Sequence, residues 1–222
     1  MAEPARLRGY YALMRGLFAA GYGVLGIRRQ VTRDNLQRSF PEIGPERRRE
    51  IEREHRLRMS ELAAEVLYAS RIEADELRDR VSLVNGEMLT GGAPRRPTVF
   101  AAAHHCNFEW MLLRASLDLG EGLLGLYKPL KNERADQAFQ RMRSRFGARL
   151  VPAKSVLQEL ARFREARAVC LVADQVPRTS PERHWLRFLG QDTAFFMGPE
   201  LLARALRSQL AYTRMSRLER GR

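Results

Sequence analysis

From Pro97 onward the chain alternates short apolar runs with longer amphipathic stretches. Residues 98–103 are apolar and partly β-branched, which predicts a buried strand. Residues 108–119 predict a helix and 123–127 a second strand. A second helix is expected over 133–146, ending at Gly147, a residue suited to a helix C-terminus. Further strands are expected over 149–151, 167–173 and 210–215, with helices over 155–164 and 198–207. Strands separated by single helices imply parallel pairing through crossovers. The expected fold is therefore α/β, a mostly parallel sheet with helices on both faces.

The first third of the chain differs. A helix is expected over 46–70, with Ile51, Leu57, Leu62, Val66 and Leu67 spaced for one face and Glu and Arg covering the other. Residues 9–27 are apolar and aromatic with Arg15 as the one charge, and Arg6, Arg8, Arg28 and Arg29 flank them. That run is near the lower limit for a membrane span, and a central arginine is costly in hydrocarbon. An N-terminal membrane-associated helix lying in the interface accommodates both features, and a buried first helix of the domain is the alternative. The expected organisation is an anchor over 1–30 and one catalytic domain over 31–222. Residues 218–222 resemble a hairpin turn leading into one more strand, so the domain is expected to be C-terminally truncated.

Charge narrows the partners. Thirty-nine Lys and Arg against 26 Asp and Glu give a formal balance of +13. Such a balance favours a polyanion, either nucleic acid or an anionic membrane surface. No nucleic-acid recognition motif is present and the N-terminus is apolar, so the membrane surface is expected and nucleic acid is not. Cys106 and Cys170 make no disulfide framework. No metal site is expected, because His104, His105 and Cys106 are consecutive and cannot converge on one ion from a regular element.

The candidate chemistry sits where the strand over 98–103 runs into His104-His105-Cys106-Asn107-Phe108-Glu109. Loops at the C-terminal ends of parallel strands are where sites are built. A carboxylate five positions after a histidine can hold one imidazole nitrogen while the other takes a proton from an attacking hydroxyl. This is the base and orienter of a triad without its serine, so the substrate's own hydroxyl is the expected nucleophile. His105 lies one helical turn before Glu109 and competes with His104 for the role.

The same segment, Ala103 to Trp110, resembles the histidine, four residues, acid signature of the lysophospholipid acyltransferase superfamily. Its glutamate, with Asn107 and an aromatic before it, is similar to the late acyltransferases of lipid A biosynthesis. Further segments fall in that family's order: Asn35-Leu36 with Phe40-Pro41-Glu42, Tyr127 to Asn132 with Arg143 to Gly147, Asp174-Gln175, and Phe188 to Phe195 with Gly198-Pro199-Glu200. The resemblance covers nearly the whole chain and selects His104 by counting back from Asn107 and Glu109.

It implies a glycerolipid acyltransferase-like fold and an enzyme at the cytoplasmic face of the cell inner membrane. The expected activity moves a fatty acyl group from acyl carrier protein, or another thioester such as coenzyme A, to a hydroxyl of a membrane lipid, a lipid A precursor first. No other cofactor is implied. Lysophospholipid or aminolipid acceptors, or a non-catalytic basic membrane- or nucleic-acid-binding protein, are the alternatives. His104 and Glu109 are the expected catalytic pair, with Asn107, Lys128, Asn132, Arg143, Arg145, Asp174 and Gln175 as substrate-binding candidates. Arg143 and Arg145 suit an acceptor phosphate. Residues 193–197 are apolar enough to line an acyl groove or to be core.

Overall fold

The computed structural model describes residues 4–90, 96–162, 165–175 and 183–222. The chain divides into two compact units. One comprises residues 1–68, His184–Ala194 and Gly221, and the other Ala69–Arg183, Phe195–Arg220 and Arg222.

The first unit is helical apart from His184–Ala194, most of a β-hairpin. Helix α1 (Ala5–Phe18) continues into π-helical turns (Ala19–Val24), followed by α2 (Arg29–Ser39) and α3 (Pro45–Tyr68). α1 packs along α3. Leu7 and Tyr11, one turn apart, are buried there, and the Tyr11 hydroxyl donates to Glu65 Oε1 at 2.8 Å. Leu13, Leu17, Val24, Leu25 and Ile27 are exposed. Among the described residues no helix is long and apolar enough to cross a membrane. Near the start of α3, Glu52 gathers Arg33 Nε at 2.9 Å, Tyr22 Oη at 3.1 Å and Arg29 Nε at 3.6 Å.

Burial disfavours the Glu52 carboxylate, but the hydrogen bonds from Arg33 and Tyr22 outweigh it and hold its pKa below the ordinary glutamate value. A group depressed in this way stabilises the fold above its unfolded pKa, about 4.3, and stops doing so as pH falls through the lower folded value. Glu52→Gln is therefore expected to cost about 1–3 kcal/mol at neutral pH, as for loss of charged hydrogen bonds. The gap to wild type should close on acidification below about pH 4.3. Thermal melts recorded between neutral pH and pH 3 check both points.

The second unit holds the sheet. After α4 (Ala74–Arg80) and α5 (Glu87–Thr90) come β1 (Thr98–Ala102), α6 (Phe108–Leu119), β2 (Leu123–Tyr127), α7 (Glu133–Arg143), β3 (Arg149–Pro152), α8 (Val156–Arg162) and β4 (Ala168–Val172). Next in the chain come the hairpin strands β5 (Arg183–Phe188) and β6 (Gln191–Phe196), of which His184–Ala194 belong to the first unit, and then, in the second unit, α9 (Gly198–Leu206) and β7 (Leu210–Tyr212). The five-stranded sheet has the order β3-β2-β4-β1-β7 and every pairing is parallel. β5 and β6 form a separate two-stranded sheet.

Alternation along the strands divides the core. Val99, Val169, Leu124 and Val151 face α8 and α9 through Leu160 and Leu202, whereas Phe100, Leu123 and Ala168 face α6 through Leu112 and Ala115. Helices therefore cover both faces, as parallel strands require. Each fully buried Val or Leu contributes about 1.5–3 kcal/mol relative to exposure.

The expected elements recur with shifted ends. α7 stops at Arg143 rather than 146, and Gly147 (φ 97°) closes the turn that follows. A Cβ at Gly147 would lie 3.0 Å from Gly120 Cα, so the position takes glycine for space as well as for φ. α8 begins after a single 3₁₀ turn, and the last two positions of the helix expected to reach 164 lie outside the described residues. The α2 and α4 helices and the β5–β6 hairpin are additions to the expected element order.

Candidate active site

Register sets His104 beside Asp174. Ala102 pairs with Val172 across β1 and β4, so positions two further along, His104 and Asp174, leave the sheet level with one another. The Ala173 N–H donates to the Ala102 carbonyl at 3.0 Å, which continues the pairing to the edge. There the two residues meet. His104 Nδ1 lies 2.7 Å from Asp174 Oδ1, and the His104 N–H donates to Asp174 Oδ2 at 3.0 Å. One carboxylate thus fixes both the backbone and the ring of His104. With Nδ1 held as a donor to Asp174, Nε2 is the nitrogen left to accept a proton. The pair stands at the surface, its side chains 37% and 38% exposed. Phe108 meets the imidazole edge-on at 5.0 Å between centroids.

The turn between β1 and α6 is built for this placement. Cys106 adopts the left-handed conformation (φ 55°), and buried Asn107 caps α6 by accepting from the Trp110 N–H at 3.1 Å. His105 lies before the helix begins, so the helical spacing from His105 to Glu109 is not realised. His105 is exposed.

Glu109 does not partner His104. Its side chain is turned into the protein, the residue only 2% exposed, and both oxygens are taken by Arg143: Nε to Oε2 at 2.8 Å and Nη2 to Oε1 at 2.5 Å. The reason is chemical complementarity. A guanidinium fork matches a desolvated carboxylate with two charge-assisted bonds, which a single neutral imidazole nitrogen cannot equal. Burial disfavours the Arg143 cation, yet the hydrogen bonds and charge of Glu109 prevail and hold its pKa above the ordinary arginine value.

The other expected substrate-binding residues divide. Arg145 Nη1 donates to the Ala69 and Ile72 carbonyl oxygens, each at 2.9 Å, so this arginine, like Arg143, is committed within the protein. Asn132 caps α7 through Oδ1 and the Ala135 N–H at 3.0 Å. Lys128 and Gln175 are exposed beyond β2 and β4 and make no hydrogen bond or ion pair among the described residues. Arg214, beyond β7, is likewise exposed and without such a partner among them. Because all five strands are parallel, Lys128 and Arg214 leave the same edge as Asp174 and His104, from the strands on either side of that pair.

Behind the pair lies an apolar cavity of about 450 Å³ between α6, the sheet and residues 83–89. Its floor is one register row running across the sheet: Leu150, Gly125, Cys170, Phe100 and Ala211. Gly125 keeps that floor low, since a Cβ there would come within 3.1 Å of Leu150 Cδ2. Burial pushes the Cys170 thiol up to about 12, so it stays protonated and is a poor nucleophile at neutral pH. Phe108 lines the cavity and touches His104, which connects the reactive edge to the apolar interior. Residues 193–197, expected as a groove wall, do not line this cavity. Among the described residues no group of three His, Cys, Asp or Glu side chains could hold a metal ion.

Comparison with known proteins supplies the context for this geometry. The family model described as bacterial lipid A biosynthesis acyltransferase matches residues 14–222. No curated protein gives a match.

Proposed function

This chain belongs to the bacterial lipid A biosynthesis acyltransferase family and is an acyltransferase, and from that premise we propose that His104 is the general base for direct acyl transfer from a thioester to a lipid hydroxyl. The observation that carries the reading is the His104–Asp174 hydrogen bond at the C-terminal edge of the sheet, beside an apolar cavity. In the proposed step, Nε2 removes the acceptor hydroxyl's proton as its oxygen attacks the thioester carbonyl. Asp174 holds the Nδ1 proton and stabilises the imidazolium that forms. The tetrahedral intermediate collapses with loss of thiolate, which takes the proton back from Nε2. The first turn of α6 supports the oxyanion, because helix-start amides lack intrahelical acceptors and point toward this end.

The cavity is the proposed seat of the acyl chain, its volume within the range of about 300–1,000 Å³ usual for ligand sites. Lys128 and Arg214 are the proposed seats for acceptor phosphate, replacing Arg143 and Arg145, whose donors are already engaged. Gln175, next to Asp174, is placed to orient the acceptor. The donor is acyl carrier protein, the acceptor a lipid A precursor, and the location the cytoplasmic face of the inner membrane.

The test is transfer from labelled acyl-loaded carrier protein to a panel of lipid acceptors that includes lysophospholipid, with Asp174→Asn alongside. An asparagine amide can donate to Nδ1, which favours the tautomer with its proton on Nε2 and disables the base. Because the pair is solvent-accessible, water restores part of the function, and a loss of about 100-fold in kcat is expected. Wild-type rates in Asp174→Asn would overturn the assignment. Preference for lysophospholipid would move the acceptor to the simpler class.

A further inference from the structure

In the β5–β6 hairpin, every residue of β5 is exposed, on both faces of the strand. Trp185 is 59% exposed, and Leu186 and Leu189 are exposed as well. β6 is partly covered, with Ala194 buried, but β5 is open on both faces, and its exposed Trp185 and Leu186 are disfavoured in water. The tip adds a second cost. Leu189 (φ 49°) and Gly190 (φ 73°) both adopt left-handed backbone, a conformation that suits glycine or asparagine and penalises a bulky apolar residue. An exposed leucine held in a strained turn is disfavoured twice in water, by conformation and by hydration. Behind the tip, Arg187 is exposed and makes no ion pair among the described residues, and the chain as a whole carries +13. The sequence of β5, Arg183-His184-Trp185-Leu186-Arg187-Phe188, mixes basic groups with large apolar ones and contains no acid.

We propose that residues 184–194 form a membrane-inserting wedge that seats in the headgroup region of an anionic bilayer, with Leu189 leading, Trp185 at the interface and Arg187 against lipid phosphate. Behind the apolar tip, Arg187 and then Trp185 follow along β5, and a bilayer surface is where basic groups and amphipathic aromatic rings concentrate. This contact is separate from the N-terminal helix. It takes the lipid acceptor from the reading above, but its test measures binding rather than turnover, so either can fail without the other.

The chain offers its own probe. It has two tryptophans, and Trp110 is 1% exposed, so a spectral change on membrane binding reports Trp185. The whole chain is titrated with phosphatidylglycerol vesicles and, separately, with phosphatidylcholine vesicles. The expected result is a blue shift with the anionic vesicles and quenching by lipids brominated high in the acyl chain, both absent in Trp185→Phe. Leu189→Asn is the decisive variant, because asparagine tolerates the turn better than leucine while removing the apolar tip. It should weaken partitioning about tenfold with the hairpin retained. An unshifted, unquenched Trp185 in protein that sediments with vesicles would overturn the proposal, as would absence of vesicle binding. A shift that follows protein concentration without vesicles would also overturn it and assign the surface to a second copy of the chain.

Discussion

His104→Ala is expected to lower kcat for acyl transfer by on the order of 10³- to 10⁴-fold while leaving the folded state intact, the upper range for loss of a general base. The ring is more than a third exposed and its described partner is Asp174, itself exposed, so removing it opens no cavity and strands no buried charge. A stability change within about 0.5 kcal/mol follows, as for surface substitutions. A steady-state assay paired with a denaturant melt separates the two quantities. Binding of acyl donor should persist, because the cavity walls are untouched. Near-normal turnover would remove His104 from the mechanism, and His105→Ala, at an exposed position with no described partner, serves as the matched comparison.

The opposite balance is expected at Glu109. Glu109→Ala removes the ion-pair partner described for the half-buried Arg143 side chain and leaves Phe139 alone against its charge, and breaking such a pair from one side costs up to about 3–5 kcal/mol. That is a large part of the roughly 5–15 kcal/mol that holds a domain together. Loss of activity in Glu109→Ala is therefore expected to arrive with loss of fold. The double variant Glu109→Leu with Arg143→Met tests this: removing both charges and keeping apolar volume should recover most of the stability lost in either single change. Urea unfolding of the four proteins gives the coupling directly. A fully folded Glu109→Ala with no turnover would instead return Glu109 to the catalytic step. α6 and α7 are in contact, and the pair ties the helix that follows His104 to its neighbour, so its catalytic value lies in holding the β1–α6 turn in place.

The two substitutions differ because one residue acts at an open edge and the other inside the protein. Their spacing in the sequence hides this. Position 109 lies five after His104, an attractive distance for a dyad, while Asp174 is 70 residues away. Proximity along the chain points to Glu109, whereas the register of the sheet sets Asp174 against the His104 ring.

Local signals were sufficient for most of the frame. The strands at 98–102 and 123–127 are short apolar runs buried on both faces, so hydrophobic continuity locates them without tertiary information. α6 and α7 begin at Asn107 and Asn132, which the resemblance assigns to substrate and which the structure shows capping the two helices. α2 and α4 escaped because they are polar and short, with little apolar periodicity to mark them. The β5–β6 hairpin escaped for the opposite reason: β5 is exposed throughout, so no inward face imposes an alternating pattern.

What the sequence by itself determined was the alternation of strand and helix, the parallel α/β class, and the location of His104 at the end of a buried strand. All of these rest on periodicity and on end signals a few residues long. Only the tertiary structure decided which charges meet. β1 and β2 follow one another in the chain but do not pair; β4 enters between them, and that insertion sets Asp174 beside His104. The packing of α6 likewise turns Glu109 inward to Arg143, 34 residues away, and leaves Lys128 and Arg214 as cations without partners among the described residues at the open edge. Strand order and helix rotation emerge from the global burial of apolar faces, and no short stretch of sequence encodes them.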